Sequence, residues 1–109
     1  MNALRYEDGT ELQTAVMLDP SQKSYNHFLA VANGEREDRN MPKSWPVMLR
    51  LTAEKTLARS GVAAEKWSAE IRNGKVWLVA SGRVNENSPE YQQAVEYERK
   101  IEELRRAMA

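Results

Sequence analysis

Apolar and polar residues alternate most regularly between Trp67 and Val84, on both sides of the dipeptide Asn73-Gly74. A period of two marks a strand. Asn-Gly suits the two central positions of a type I′ turn, because both need φ > 0. The pattern predicts a hairpin in which Arg72 faces Lys75, Ile71 faces Val76, Ala69 faces Leu78 and Trp67 faces Ala80. One face then carries Trp67, Ala69, Ile71, Val76, Leu78 and Ala80, all apolar. The other carries Ser68, Glu70, Arg72, Lys75, Trp77 and Val79. A slip of one residue would scatter the apolar set over both faces, so turn chemistry and patterning agree.

The rest of the chain arranges itself around this hairpin. Residues 3–6 and 11–18 predict a first hairpin through a loop of Glu7, Asp8 and Gly9, with Leu4 opposite Leu12. Leu12, Thr14, Val16 and Leu18 share one face of its second strand, and Ala15 and Met17 the other. Asp19-Pro20-Ser21-Gln22 predicts a helix start, with Asp19 as cap and Gln22 in the capping-box position. Tyr25, Phe28, Leu29 and Ala32 form its apolar stripe, and Asn33-Gly34 its end. Residues 35–40 are a charged loop, and Met41 to Pro46 a nonregular crossing segment with Trp45 between two prolines. Residues 47–52 fit a strand or a helix; from Thr52 a helix over 53–60 is favoured, closed by Gly61. Ser88 and Pro89 start a last helix in which Ala94, Tyr97, Ile101, Leu104 and Met108 follow 3-4-3-4 spacing, an a/d seam.

These elements predict one α+β domain spanning 1–109. Its antiparallel sheet has about four strands in two hairpins, with two or three helices mostly on one face. The chain of 109 residues, with 41% hydrophobic and 29% charged residues, has an ordinary globular composition. The absence of cysteine excludes disulfides and thiolate chemistry. The acidic start, MNALRYEDGTELQ, lacks the basic and apolar regions of a signal peptide, and no apolar run reaches membrane-spanning length. The expected location is cytoplasmic.

A formal net charge of zero conceals an uneven distribution. Residues 43–83 hold eight Lys/Arg against three Glu, between two acidic flanks. A basic stretch of this kind either pairs with the flanks in the fold or forms an electrostatic footprint for a partner.

Motifs for catalysis are sparse. His27, the only histidine, lies off its helix's apolar stripe and reads as a solvent-facing or hydrogen-bonded structural residue. No nucleophile elbow, calcium loop or phosphate loop occurs, and one histidine without cysteine argues against a transition-metal site. Glu102 and Glu103 fall on the solvent side of the last helix. No catalytic residue, metal or cofactor is therefore assigned.

Two kinds of macromolecular binding remain. The first, which we favour, is a non-catalytic accessory or regulatory protein that holds a protein partner on the second hairpin face. Trp77 and Val79 act as its anchors, and Glu70, Arg72 and Lys75 as its charged rim. The second is nucleic-acid binding through Arg50, Lys55, Arg59, Lys66, Arg72, Lys75 and Arg83, with an exposed tryptophan to stack on bases. Leu57 to Lys75 is similar at first sight to a helix-turn-helix, but it has one residue too few between Ala58 and Gly61. Its second helix would also consume a hairpin strand, which leaves a winged arrangement with residues 67–84 as the wing. The terminal seam has two destinations: the chain's own sheet, favoured because a small sheet needs covering, or a second copy in a homodimer.

Overall fold

A computed structural model describes residues 6–108. Their elements are β1 (Glu11–Met17), α1 (Tyr25–Ala32), α2 (Val47–Arg59), β2 (Lys66–Arg72), β3 (Lys75–Arg83) and α3 (Pro89–Met108). The strands form one antiparallel sheet in the order β1-β3-β2. The architecture is α+β, with three helices and a three-stranded sheet among the described residues.

The β2–β3 hairpin has the register that its turn dictates: Arg72 pairs with Lys75, Ile71 with Val76, Ala69 with Leu78 and Trp67 with Ala80. Asn73 at φ 53° and Gly74 at φ 74° supply the two left-handed positions. The first expected hairpin is different. Residues 3–5 of its leading strand lie outside the described residues, and Tyr6 to Thr10 form a bend and turn rather than a strand. Gly9 N–H donates to the Val84 carbonyl at 2.7 Å, and Val84 N–H donates to the Thr10 carbonyl at 2.8 Å. The turn is thus tied to the end of β3, and β1 pairs with β3; among the described residues the sheet has three strands where about four were expected. The run Val79-Ala80-Ser81 is buried on both faces, as befits a central strand.

α1 and α2 pack on the face carrying Val76, Leu78 and Ala80, and α3 packs on α2, with Tyr91 reaching the same core. Phe28 of α1 and Trp45 join Leu18, Val76 and Leu78 in one cluster. Ala53 and Leu57 of α2 and Tyr91 of α3 join Val62, Ala80 and Val84 in a second, and Trp67 packs against both. Gly82 lies under the link between α2 and β2. A Cβ there would fall 2.0 Å from the Ala63 carbonyl oxygen, so only glycine fits.

α1 begins later and α2 earlier than their sequence signals. Asp19 accepts a hydrogen bond from Ser21 N–H at 2.9 Å, and its own carbonyl accepts from Gln22. It therefore caps a turn, and α1 starts only at Tyr25. The Ser21 backbone bond, then its side chain, holds the Asp19 carboxyl below its ordinary value. α2 starts at Val47, directly after Pro46, which settles 47–52 as helix. Thr52, the expected cap, instead donates its hydroxyl to the Met48 carbonyl at 2.8 Å. Gly34 and Gly61, both at positive φ, close α1 and α2 with paired 6→1 and 5→2 backbone bonds. Ser88 caps α3 as expected, accepting from Tyr91 N–H at 3.1 Å.

The seam of α3 leaves the body. Tyr91 and Ala94 are buried, whereas Tyr97, Leu104 and Met108 are exposed. The seam was expected to cover the chain's own sheet; instead only its first turns enter the core, and they pack on α2. The radius of gyration is 16.6 Å, against about 13 Å for a compact chain of this length. A 20-residue helix is about 30 Å long at 1.5 Å per residue, longer than the 13-residue α2 on which it packs.

Candidate functional site

Because the helices lie on one side of the sheet, the other face has no layer over it among the described residues. Its composition follows from the strand registers. Trp77 stands between Met17 of β1 and Glu70 of β2; Val79 stands between Ala15 and Ser68; Ser81 stands between Gln13 and Lys66. Val79 is only 3% exposed, although no helix covers it.

Trp77 is half-buried, and its indole N–H donates to the Arg72 carbonyl at 3.2 Å. This bond lays the ring back toward the hairpin turn and leaves part of it open to solvent. Arg72 in turn donates to one oxygen of Glu70 from Nε at 3.1 Å and from Nη2 at 2.8 Å. Met17, at 40% exposure, extends the apolar centre to the β1 edge. The site is an aromatic and aliphatic strip, Met17, Trp77, Val79 and Ala15, bordered by the Glu70–Arg72 pair and Lys75.

The five residues expected to bind a partner, Glu70, Arg72, Lys75, Trp77 and Val79, share this face. The basic set behaves differently. Lys66, Arg72, Lys75 and Arg83 occupy alternate positions on the open face. Arg50, Lys55 and Arg59 lie on α2, which packs against the opposite face. The seven residues therefore do not form one continuous patch. β3 is the central strand of the only sheet among the described residues, so the hairpin expected as a wing is also part of the core.

His27 belongs to a separate cluster at the other end of the molecule's chemistry. Its Nε2 lies 2.8 Å from Asp38 Oδ2, and Arg36 donates to its Nδ1 at 3.1 Å. The imidazole with its proton on Nε2 satisfies both contacts. Ser44 Oγ donates to the same Asp38 oxygen at 2.5 Å, and Asn40 N–H donates to the other at 2.8 Å. Burial pushes the Asp38 carboxyl up, but the bonds from Ser44, His27 and Asn40 outweigh it and hold the carboxyl below its ordinary value. Serine, aspartate and histidine thus meet, but with the carboxylate in the middle. Ser44 donates its hydrogen bond to Asp38 and has none to His27, so the arrangement lacks the base that a nucleophilic serine requires. The cluster fastens the loop after α1 to the helix, and so seats Trp45 on Phe28, with ring centroids 3.9 Å apart and planes 4° from parallel.

Among the described residues, no group of three or more histidines, aspartates or glutamates is placed to hold a metal ion. No helix among them is long and apolar enough to cross a membrane. No protein-family model, curated protein or solved structure matches the chain.

The sequence pattern missed Met17 and Ala15 as the β1 neighbours of Trp77 and Val79, because β1 pairs with β3 over a long sequence separation. It also missed Asp38 and Ser44, which carry no periodicity. The glycine at position 82, alone inside an apolar strand, was a usable sign of close backbone approach.

Proposed function

We propose that this chain is a non-catalytic accessory or regulatory protein that binds a protein partner on the open face of its sheet. Trp77, with Met17 beside it, anchors the contact, and Glu70, Arg72 and Lys75 orient it; Val79, expected as a second anchor, is buried and supports Trp77 from within the sheet. The observation that carries this reading is the half-buried Trp77 beside exposed Met17 on a sheet face that no helix among the described residues covers. An apolar centre inside a charged border is the composition of a protein interface, in which a few aromatic anchors supply most of the affinity.

The test compares the wild-type chain with Trp77→Ala as paired baits under native conditions, followed by titration of the partner retained. The expected result is a partner held by the wild type, lost by about 2 kcal/mol or more in the variant, and only weakly sensitive to salt. Retention of every specific partner by a folded Trp77→Ala chain refutes the reading.

A second reading, nucleic-acid binding, is supported by Lys66, Arg72, Lys75 and Arg83 standing on the same face as Trp77. Anisotropy titrations of labelled DNA and RNA at low and higher salt separate the two. Electrostatic binding weakens steeply with salt, and falls further when Arg72 and Lys75 are neutralised together. No binding at low salt removes this second reading.

A further inference from the structure

The apolar stripe of α3 begins in the core and runs out of it. Tyr97 is 66% exposed, Leu104 63% and Met108 86%, with Ile101 half-buried among them. Their 3-4-3-4 spacing is that of a coiled-coil seam. The charges of the helix divide around this stripe. On the outward side Glu96, Arg99, Glu102, Glu103 and Arg106 pair with one another. Glu98, Lys100 and Arg105 flank the stripe and enter none of these ion pairs among the described residues. One oxygen of Glu98 is buried without a hydrogen-bond partner.

We propose that α3 pairs with α3 of a second copy of this chain, antiparallel, with Ile101 opposite Leu104 of the second copy and Tyr97 opposite Met108. The flanking charges select this arrangement. In an antiparallel pair, e positions face e positions and g positions face g positions. Here Glu98 faces Arg105 of the second copy, twice by symmetry, and Lys100 faces the neutral Ala107. Sliding the helices by a heptad brings Glu98 against Glu98 or Arg105 against Arg105. A parallel pair sets Lys100 against Arg105. Like charges in those positions count against each alternative.

The geometry leaves room for the second copy. The two-fold axis passes between Ile101 and Leu104, and α3 meets its own core at Tyr91 to Val95. At 1.5 Å per residue those contacts lie roughly 10–20 Å along the helix from the axis, so the two bodies sit at opposite ends of the pair. An open groove of about 1080 Å³ between α2 and α3, lined by Ala58, Arg59, Tyr97 and Ile101 among others, receives the last turn of the second helix. A seam this short gives a small interface, in the class of transient associations. This pairing uses α3 and not the open sheet face, so it stands or falls apart from the function proposed above.

Sedimentation equilibrium of the full chain from micromolar to millimolar concentration tests it. The expected average mass rises from 12.5 kDa toward twice that value. Leu104→Glu alters an exposed position, so it keeps the helical circular dichroism of the wild type and stays monomeric. Glu98→Arg and Arg105→Glu each weaken association by about tenfold, since every substitution counts twice in a symmetric pair. The double variant E98R/R105E restores it. A wild-type chain that remains monomeric to millimolar concentration overturns the proposal and leaves the stripe to a helix of another protein. A dimer that survives Leu104→Glu overturns the seam. A double variant that associates no better than the single ones overturns the register.

Discussion

Asp38 is where the loop after α1 is held, and Asp38→Asn measures that hold. The carboxylate is 5% exposed in its side chain and accepts three hydrogen bonds, from Ser44 Oγ, the Asn40 N–H and His27 Nε2. An asparagine has the same shape but presents one oxygen and one NH2. If its oxygen faces Ser44 and His27, the NH2 confronts the Asn40 N–H; if it is flipped, the NH2 confronts the other two donors. At least one donor therefore loses its acceptor in either orientation. Hydrogen bonds to charged groups contribute ~1.5–3 kcal/mol each, while burial of the carboxylate takes some of that back, so a net loss of about 2 kcal/mol is expected. The pH dependence has a definite sign. The folded Asp38 carboxyl lies below its ordinary value of 3.8, so its stabilisation is fully present above that value. It is lost as the pH falls below 3.8 and through the folded value. Urea unfolding of wild type and Asp38→Asn, followed by tryptophan fluorescence from neutral pH downward, reads both effects. The two stability curves should lie apart at pH 7 and converge in acid. Curves within about 0.5 kcal/mol at pH 7, the scatter of ordinary surface substitutions, would refute the clasp.

The remaining predictions concern the sheet and the core. Gly82→Ala drives a methyl group into the Ala63 carbonyl, which is backbone and cannot swing aside, so a loss of about 1–3 kcal/mol or more is expected in chemical denaturation. Gly74→Ala places a side chain at φ 74° in the hairpin turn and should cost ~1 kcal/mol, with the sheet signal in circular dichroism retained. Tyr91 has a buried hydroxyl with no hydrogen-bond partner, so Tyr91→Phe should leave the Tm unchanged or raise it; a clear fall would reveal a partner for that hydroxyl.

Much of the local structure was written in the sequence, because it depends on neighbours a few residues apart. Asn73-Gly74 and the alternation beside it set the β2–β3 register to the residue. Ser88 and Pro89 set the start of α3, and Gly34 and Gly61 set the ends of α1 and α2. The alternation also placed Trp77 and Val79 away from the apolar face that the helices cover. Local signals misled where two local structures competed for the same residues. Asp19 made a turn with Ser21 in place of a helix cap, and 47–52 carried both a strand and a helix period.

The tertiary structure decided what depends on distant pairing. Only the fold could join β1 to β3 across sixty or more positions, which made β3 the central strand of the three among the described residues. Only the fold could bring Asp38 and Ser44 to His27, since such contacts have no period along the chain. The separation of Arg50, Lys55 and Arg59 from Lys66, Arg72, Lys75 and Arg83 was likewise invisible, because charge along a sequence does not record which side of a sheet it reaches. The apolar stripe of α3 was legible in full, yet its fate was not. The 20-residue α3 packs on the 13-residue α2 through its first turns and runs past it, and that mismatch exists only once the chain has folded.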